Sequence, residues 1–297
     1  MTNLIALDWG TSSLRAARLA DDGLVLEERS LPRGILTVAP GGFPQVFEEI
    51  CGDWMHAADA LALICGMAGS RQGWVEAAYC ACPAGFADVA TRLTWVEPGR
   101  IAMVPGLTCD NEGVPDVIRG EETQIFGALE LLGLDEATLV LPGTHSKWAR
   151  VTAGRIARFS TFMTGEFYAL LRQHSILART MPDVDGDLDE AAFERGVGHA
   201  LHSSTLLHSA FSARTLALFG RLPADALPSY LSGLVIGEEL GAQHLAGGED
   251  VVVIGSEALT RRYELALRLL GITAQRAGSE ATWRGLRAIA STLRSGR

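Results

Sequence analysis

Apolar residues along this chain come in short runs that stop on glycine. LIALDW (4–9) runs into a carboxylate at Asp8, and Gly10-Thr11-Ser12-Ser13 follows before SLRAARLA resumes. Asp21-Asp22-Gly23 then leads into LVLEERSL, so the first thirty residues read as three strands, with the Asp-Gly step as a hairpin signal. Over 41–60 the positions Phe43, Val46, Phe47, Ile50, Trp54 and Met55 fall near one face of a helix. LALICGM (61–67) and IAMVPGL (101–107) are continuous apolar runs, the pattern of buried strands. VPDVIRGEETQIFGALELLG (114–133) opens on proline and acidic residues and continues at helical spacing, which predicts a helix from its start.

The segment TLVLPGTHSKWARVTAGRIARFSTFMTGEFYALL repeats the opening pattern. A strand enters a Gly143-Thr144-His145-Ser146 turn, a second strand leaves it, and Ala153-Gly154 turns into a third. Two such copies suggest an internal duplication of fold. Most of 164–246 has helical patterning, with loop signals at 182–187, Pro223 and Pro228. VVVIGSEALTRRYELALRLLG (251–271) reads as strand, Gly-Ser turn and helix, and an amphipathic helix follows Ser279 behind a weakened capping box.

Composition narrows the function classes. With 48% hydrophobic and 20% charged residues, the 297-residue chain can bury a sizeable core in one large domain or two modest ones. No apolar run approaches a membrane span, and Asp8 interrupts any leader-like stretch, so a soluble cytoplasmic protein is expected. A net charge of −10 argues against a nucleic-acid surface while leaving room for a small anion held by local cations. The five cysteines form no CxxC pair and read as buried thiols.

The first turn gathers a carboxylate, backbone N–H groups and hydroxyls at one point. Asp8, Gly10, Thr11 and Ser12 could therefore cradle phosphate oxygens and reach Mg²⁺, although a polar hairpin capped by its own Asp has the same sequence. The second turn adds Gly143, Thr144 and, on its exit strand, Lys147. His145 lies inside this turn, close to where a transferred phosphate would be, without a catalytic assignment. The pairing of two such turns resembles the actin-like ATPase superfamily, which holds ATP from both sides. That resemblance implies an α/β fold of two ribonuclease-H-like domains with an inter-domain cleft. It also puts the adenosine contacts at Gly255 and Ser256, where this chain has one glycine and many members have two. In the sugar kinases of the superfamily an acidic residue after a glycine receives the proton of the acceptor hydroxyl. The match here is Gly120-Glu121, with Glu122 and Asp116 as the neighbouring carboxylates.

Five runs together resemble one family: DWGTSSLRAARL, LICGMAGSRQGWVEAAY, DVIRGEETQIFGAL, LPGTHSKWARV and TFMTGEFYALLRQHSIL. The family is 2-dehydro-3-deoxygalactonokinase, and the similarity extends from Leu4 to about Ala290. It implies phosphorylation of 2-keto-3-deoxy-D-galactonate at its 6-hydroxyl by ATP with Mg²⁺, in D-galactonate catabolism. Such a sugar acid needs a cation for its carboxylate, and GMAGSRQGW offers Arg71 with Ser70 and Gln72 beside it. Arg15, Arg119 and Lys147 are further cations, and Thr164 and Glu166 are candidates from the second half. The expected organisation is 1–113 and 114–279, with a helix over about 280–297 returning to the first domain; a homodimer is compatible with it. The competing readings are a kinase for the gluconate epimer, an actin-like nucleotide-binding protein and a polyphosphate or nucleotide hydrolase.

Overall fold

The computed structural model describes residues 4–203, 205–245 and 249–295. The first third of the chain contains β1 (Leu4–Trp9), β2 (Leu14–Leu19), β3 (Val25–Leu31), α1 (Phe43–Cys51), β4 (Leu61–Cys65), β5 (Cys80–Ala81), α2 (Phe86–Ala90), β6 (Thr94–Glu97) and β7 (Ile101–Met103). β8 (Leu107–Asn111), β9 (Val114–Ile118), α3 (Glu121–Leu132), β10 (Ala137–Leu141), β11 (Ser146–Thr152) and β12 (Arg155–Phe162) follow. The helical stretch comprises α4 (Thr164–His174), α5 (Glu190–His202), α6 (Leu206–Ser209), α7 (Ser212–Leu218) and α8 (Leu227–Gly241). The chain continues with β13 (Val251–Ile254), α9 (Glu257–Leu269), β14 (Ala274–Ala277) and α10 (Glu280–Ser295).

β1 is buried along nearly its whole length, as a central strand must be. It pairs antiparallel with β2 and parallel with β4, in a sheet of order β3-β2-β1-β4-β7-β6. The second sheet has the order β12-β11-β10-β13-β14. In both, a three-strand meander is followed by strands added beyond its first member, so the repeated sequence pattern corresponds to a repeated topology. This is the mixed α/β, ribonuclease-H-like arrangement.

The chain divides into two compact units. One comprises the residues up to Leu139, Ala149–Ser160 and those from Ala277 on; the other comprises Val140–Trp148 and Thr161–Arg276. The first unit therefore keeps 114–139, where the sequence reading set a boundary at 113/114. The reason is the pairing of α3 with α10. A Cβ at Gly127 would lie 1.7 Å from the Ala281 carbonyl oxygen, and one at Gly285 would lie 1.9 Å from that of Thr123. Two glycines thus let the helices approach backbone to backbone. The first core gathers Ile5, Leu7, Trp9, Phe47, Ile64 and Met103. The second unit buries Val140, Trp148, Phe193 and Tyr263 in one cluster and Leu227, Tyr230 and Leu234 in another.

Four local expectations are corrected. The helix predicted over 41–60 ends at Cys51, and Trp54–His56 forms a separate 3₁₀ turn after Gly52. The apolar run 101–107 splits, with β7 ending at Met103 and Leu107 starting β8. Val114–Ile118 is a strand, because Glu112 and Gly113 both take positive φ and fold β8 back on β9 as a hairpin. The short strand β14 also lies where no strand was expected. All five cysteines are free thiols. No helix among the described residues is long and apolar enough to cross a membrane.

Candidate active site

In the first unit, Asp8 stands next to last in β1, opposite Cys65 of β4. The turn that follows is closed by the Gly10 N–H on the Ser13 carbonyl at 2.9 Å. It is also supported from behind: the Ile35 and Leu36 N–H groups donate to the Gly10 and Thr11 carbonyls at 3.0 and 3.4 Å. Thr11, Ser12 and Ser13 are exposed. Trp9 packs beneath, its ring centroid 5.3 Å from Phe43 and 6.3 Å from Trp74, with its indole N–H on the Arg33 carbonyl. Asp8 Oδ2 accepts from Arg15 Nη2 at 2.7 Å.

Two glycines bring the start of α3 to this point. Gly66, just past β4, has φ +86, and a Cβ there would lie 2.8 Å from the Trp9 carbonyl oxygen and 3.4 Å from Asp8 Oδ1. Gly120 has φ +106, and its Cβ would meet Gly66 Cα at 3.3 Å. Both positions require left-handed backbone and close approach, which only glycine supplies at no steric cost. Asp8, Gly66 and Gly120-Glu121 are thereby gathered at one end of the sheet. Glu121 Oε2 accepts the Arg119 N–H at 2.8 Å, and Glu122 Oε2 accepts the Gly120 N–H at 2.7 Å. The two carboxylates differ in setting: Glu121 is half-buried, whereas Glu122 is completely buried and its Oε1 has no partner among the described residues. Burial, then the nearby Glu121, pushes the Glu122 carboxyl up to about 8. Asp116 lies in β9 opposite Cys109, its Oδ1 accepting the Val117 N–H.

The Gly-rich loop of the first unit gives an unexpected result. Arg71 is 88% exposed, and its Nε is 3.7 Å from Glu76. Gln72 is exposed as well, whereas the Ser70 hydroxyl is buried without a partner. Arg119 is the better-held cation. Its guanidinium lies over the Tyr79 ring at 4.4 Å and donates from Nη2 to the Ala77 carbonyl at 2.9 Å. Its Nε and Nη1 are buried with no partner among the described residues, and Gly69 faces Nη1.

In the second unit, the Pro142–His145 turn is backed by α4. A Cβ at Gly165 would lie 2.5 Å from the Gly143 carbonyl oxygen and 2.9 Å from Thr144 Cα. The Glu166 N–H donates to the Thr144 carbonyl at 3.0 Å, and its carboxylate is 2.6 Å from His145 Nε2. Lys147 is buried and donates to the His145 carbonyl at 3.2 Å, so its ammonium supports the turn from within. Behind the turn, the buried Glu239 of α8 receives four donors. Ser146 Oγ and Trp148 Nε1 reach its Oε1 at 2.7 and 2.5 Å, Tyr263 OH reaches Oε2 at 2.8 Å, and Thr164 Oγ1 donates to Oε2 as well. Burial raises the Glu239 carboxyl, and these four hydrogen bonds oppose the rise.

A cavity of about 260 Å³ opens beside this turn, lined by Gly143, Thr164, Gly165, Tyr168 and Arg262 among others. Gly255 and Ser256 are exposed at the β13–α9 turn, with Gly255 near Pro142: a Cβ there would be 3.6 Å from Pro142 Cδ. α9 contributes Leu259 and Arg262 to the cavity wall in place of those two residues.

Residues 8–289 match the family model described as 2-keto-3-deoxy-galactonokinase. The chain belongs to that family. It is 38% identical over 296 residues to a probable 2-dehydro-3-deoxygalactonokinase of Rhizobium meliloti, covering 97% of this chain and 96% of the relative. It is 34% identical over 293 residues to the 2-dehydro-3-deoxygalactonokinase of Escherichia coli, covering 97% and 98%. A solved Sinorhizobium meliloti structure, a candidate 2-dehydro-3-deoxygalactonokinase, superposes with a TM-score of 0.90 at 36% identity, over 98% of this chain and 99% of that one. Fold alone is shared with component A of (R)-2-hydroxyglutaryl-CoA dehydratase from Acidaminococcus fermentans, at TM-score 0.55, 13% identity and full coverage of both chains. As a member of this kinase family the chain is an enzyme of carbohydrate metabolism.

Sequence reasoning missed Glu239, the burial of Glu122 and the setting of Arg119 in this family member. The only available signal for Glu239 was a carboxylate inside an otherwise apolar helix, LPSYLSGLVIGEELG.

Proposed function

We propose that this chain transfers the terminal phosphoryl group of ATP to the 6-hydroxyl of 2-dehydro-3-deoxy-D-galactonate. The products are 2-dehydro-3-deoxy-6-phospho-D-galactonate, ADP and a proton, in cytoplasmic D-galactonate catabolism. The observation that carries the reading is the glycine-lined meeting of Asp8, Gly66 and Gly120-Glu121 in the first unit. Phosphoryl transfer asks the protein for alignment, charge neutralisation and a group oriented on the nucleophile. Glu121 orients the 6-hydroxyl and takes its proton. Gly10, Thr11 and Ser12 are the phosphate-holding residues of the first unit, and Gly143 and Thr144 those of the second.

The donor set fits Mg²⁺, which keeps several waters and binds through one or two carboxylates plus substrate phosphates. Among the described residues there is no cluster of three or more metal-ligating side chains, so Asp8 would hold the ion together with the nucleotide. When bound, the ion neutralises charge on the phosphate oxygens. Arg15 keeps one Asp8 oxygen fixed. For the carboxylate of the sugar acid, Arg119 stands as a candidate beside the exposed Arg71: its guanidinium is held over the Tyr79 ring, and its Nε and Nη1 have no partner among the described residues. Ser70, with its unpartnered hydroxyl, is the adjacent polar group. The cavity beside Gly143 is the place for the adenosine, with Leu259 and Arg262 as its α9 wall.

The test is ADP release with Mg·ATP and either 2-dehydro-3-deoxy-D-galactonate or its gluconate epimer, with the phosphorylated position read by NMR. The galactonate acid is expected to be phosphorylated at position 6, and ADP release independent of any sugar acid would overturn the reading. Asp8→Asn is expected to lower turnover by orders of magnitude in a folded protein. Glu121→Gln is expected to lower it by about 10²–10⁴ with ATP binding retained, and Asp116→Asn to stay near wild type. Loss in Asp116→Asn with a normal Glu121→Gln would reassign the base.

A further inference from the structure

We propose that His145 is a catalytic residue of the second turn, its ring contacting the phosphate oxygens of ATP while Glu166 holds that ring in place. This rests on the reading that the Gly143-Thr144 turn holds those phosphates. Charge is the first argument. A triphosphate needs cationic partners, and the two cation-forming side chains of 143–147 are differently placed. Lys147 is buried and directed to the His145 carbonyl, whereas the His145 ring is half-exposed at 48%. Of the two, the ring is therefore the cation-forming group that a ligand can meet.

Orientation is the second argument. An exposed His–Glu pair contributes little to stability, and a chance surface pair has no need of further constraint. Glu166 is constrained twice by the same turn, through its N–H on the Thr144 carbonyl and its carboxylate on His145 Nε2. Gly165 packs against Gly143 and Thr144 at a distance that excludes a side chain. Such prior fixing is what lets a donor act on developing phosphate charge without reorganisation.

The proton inventory then sets the role. A carboxylate only accepts, so the 2.6 Å contact puts a proton on Nε2. With that proton committed to Glu166, the ring has a donor for phosphate only when Nδ1 is protonated too. The sequence reading gave Glu166 a substrate contact; this assignment makes it a positioning residue that acts through His145.

The experiment compares His145→Ala, Glu166→Gln and the double variant with wild type, in full-length protein, by steady-state kinetics and by ATP titration calorimetry without sugar acid. His145→Ala is expected to lower kcat/KM for ATP about 10²-fold, with the KM for the sugar acid within twofold of wild type. Glu166→Gln is expected to lower it about tenfold, and the double variant to match His145→Ala alone, because one residue acts through the other. ATP affinity is expected to fall about tenfold in His145→Ala while the melting temperature stays unchanged. A His145→Ala enzyme with kcat/KM and ATP affinity within threefold of wild type overturns the proposal, and so do fully additive single losses. If wild type binds ATP but phosphorylates no sugar acid, the substrate reading fails, and the ATP titration alone then decides the role of His145.

Discussion

Glu122 and Glu239 are both buried carboxylates, one in each unit, and burial raises both. Their surroundings are opposite. Glu239 receives four side-chain donors from β11, α4 and α9 and so ties together the elements around the second turn. Glu122 receives one backbone N–H, sits beside Glu121, and leaves Oε1 unmatched among the described residues. A buried charge is tolerable when every lone pair has a partner and costly when it does not. Every Glu239 oxygen is therefore hydrogen-bonded within its own unit. Glu122 is built to carry a proton through most of the neutral range.

The most severe way to break this comparison is Glu239→Leu. It would leave the Ser146, Trp148, Thr164 and Tyr263 donors facing an alkyl group, at about 1–3 kcal/mol for each buried group left unpaired. We expect a loss of about 4 kcal/mol or more, read as a collapse of the second unit's unfolding midpoint in urea. A variant as stable as wild type would show that the cluster does not hold the unit together.

The next effect is a slope. The Glu122 carboxyl titrates near 8 in the folded chain against an ordinary carboxylate value of 4.5. Below 4.5 it is protonated folded or unfolded; between 4.5 and 8 the folded chain alone keeps the proton. Unfolding then releases a proton, so stability falls as pH rises through that window, by up to about 1.4 kcal/mol per pH unit. Glu122→Gln, which cannot titrate, should lack this component of the pH dependence and be more stable than wild type at pH 8. Parallel stability–pH curves for the two proteins would remove the distinction between the two glutamates.

The smallest effect sharpens the Glu239 side. Tyr263→Phe removes one donor of four and is expected to cost about 1 kcal/mol, with Glu239 still served by Ser146, Trp148 and Thr164. A loss as large as that of Glu239→Leu would mean the four donors act as one unit.

The sequence showed the two Gly-hydroxyl turns and the repeated meander clearly, because a strand that must stop for a glycine leaves a local mark. It also marked Glu121 and Glu122 as a helix start. It singled out Glu121 but did not reveal the complete burial of Glu122, which arises from the packing of α3 rather than from local spacing. Glu239 left still less trace, because its four partners come from positions 146, 148, 164 and 263 and no local spacing unites them. The proline at 115 likewise suggested a helix start where the turn at Glu112-Gly113 makes a hairpin.

The glycine-to-glycine crossing of α3 and α10 has a consequence for how the molecule is made. The unit that holds Asp8 and Glu121 takes its last helix from residues translated after the whole of the other unit. A nascent chain can complete the 161–276 fold while α3 still lacks the surface that Gly127 and Gly285 bring together. Long-range closure of this kind slows folding and leaves apolar surface waiting for its partner. The proposed metal and base residues therefore reach their finished setting only after residues 277–295 have been synthesised, and ribosome-bound chains stalled before that point should show a protected second unit and a protease-sensitive first.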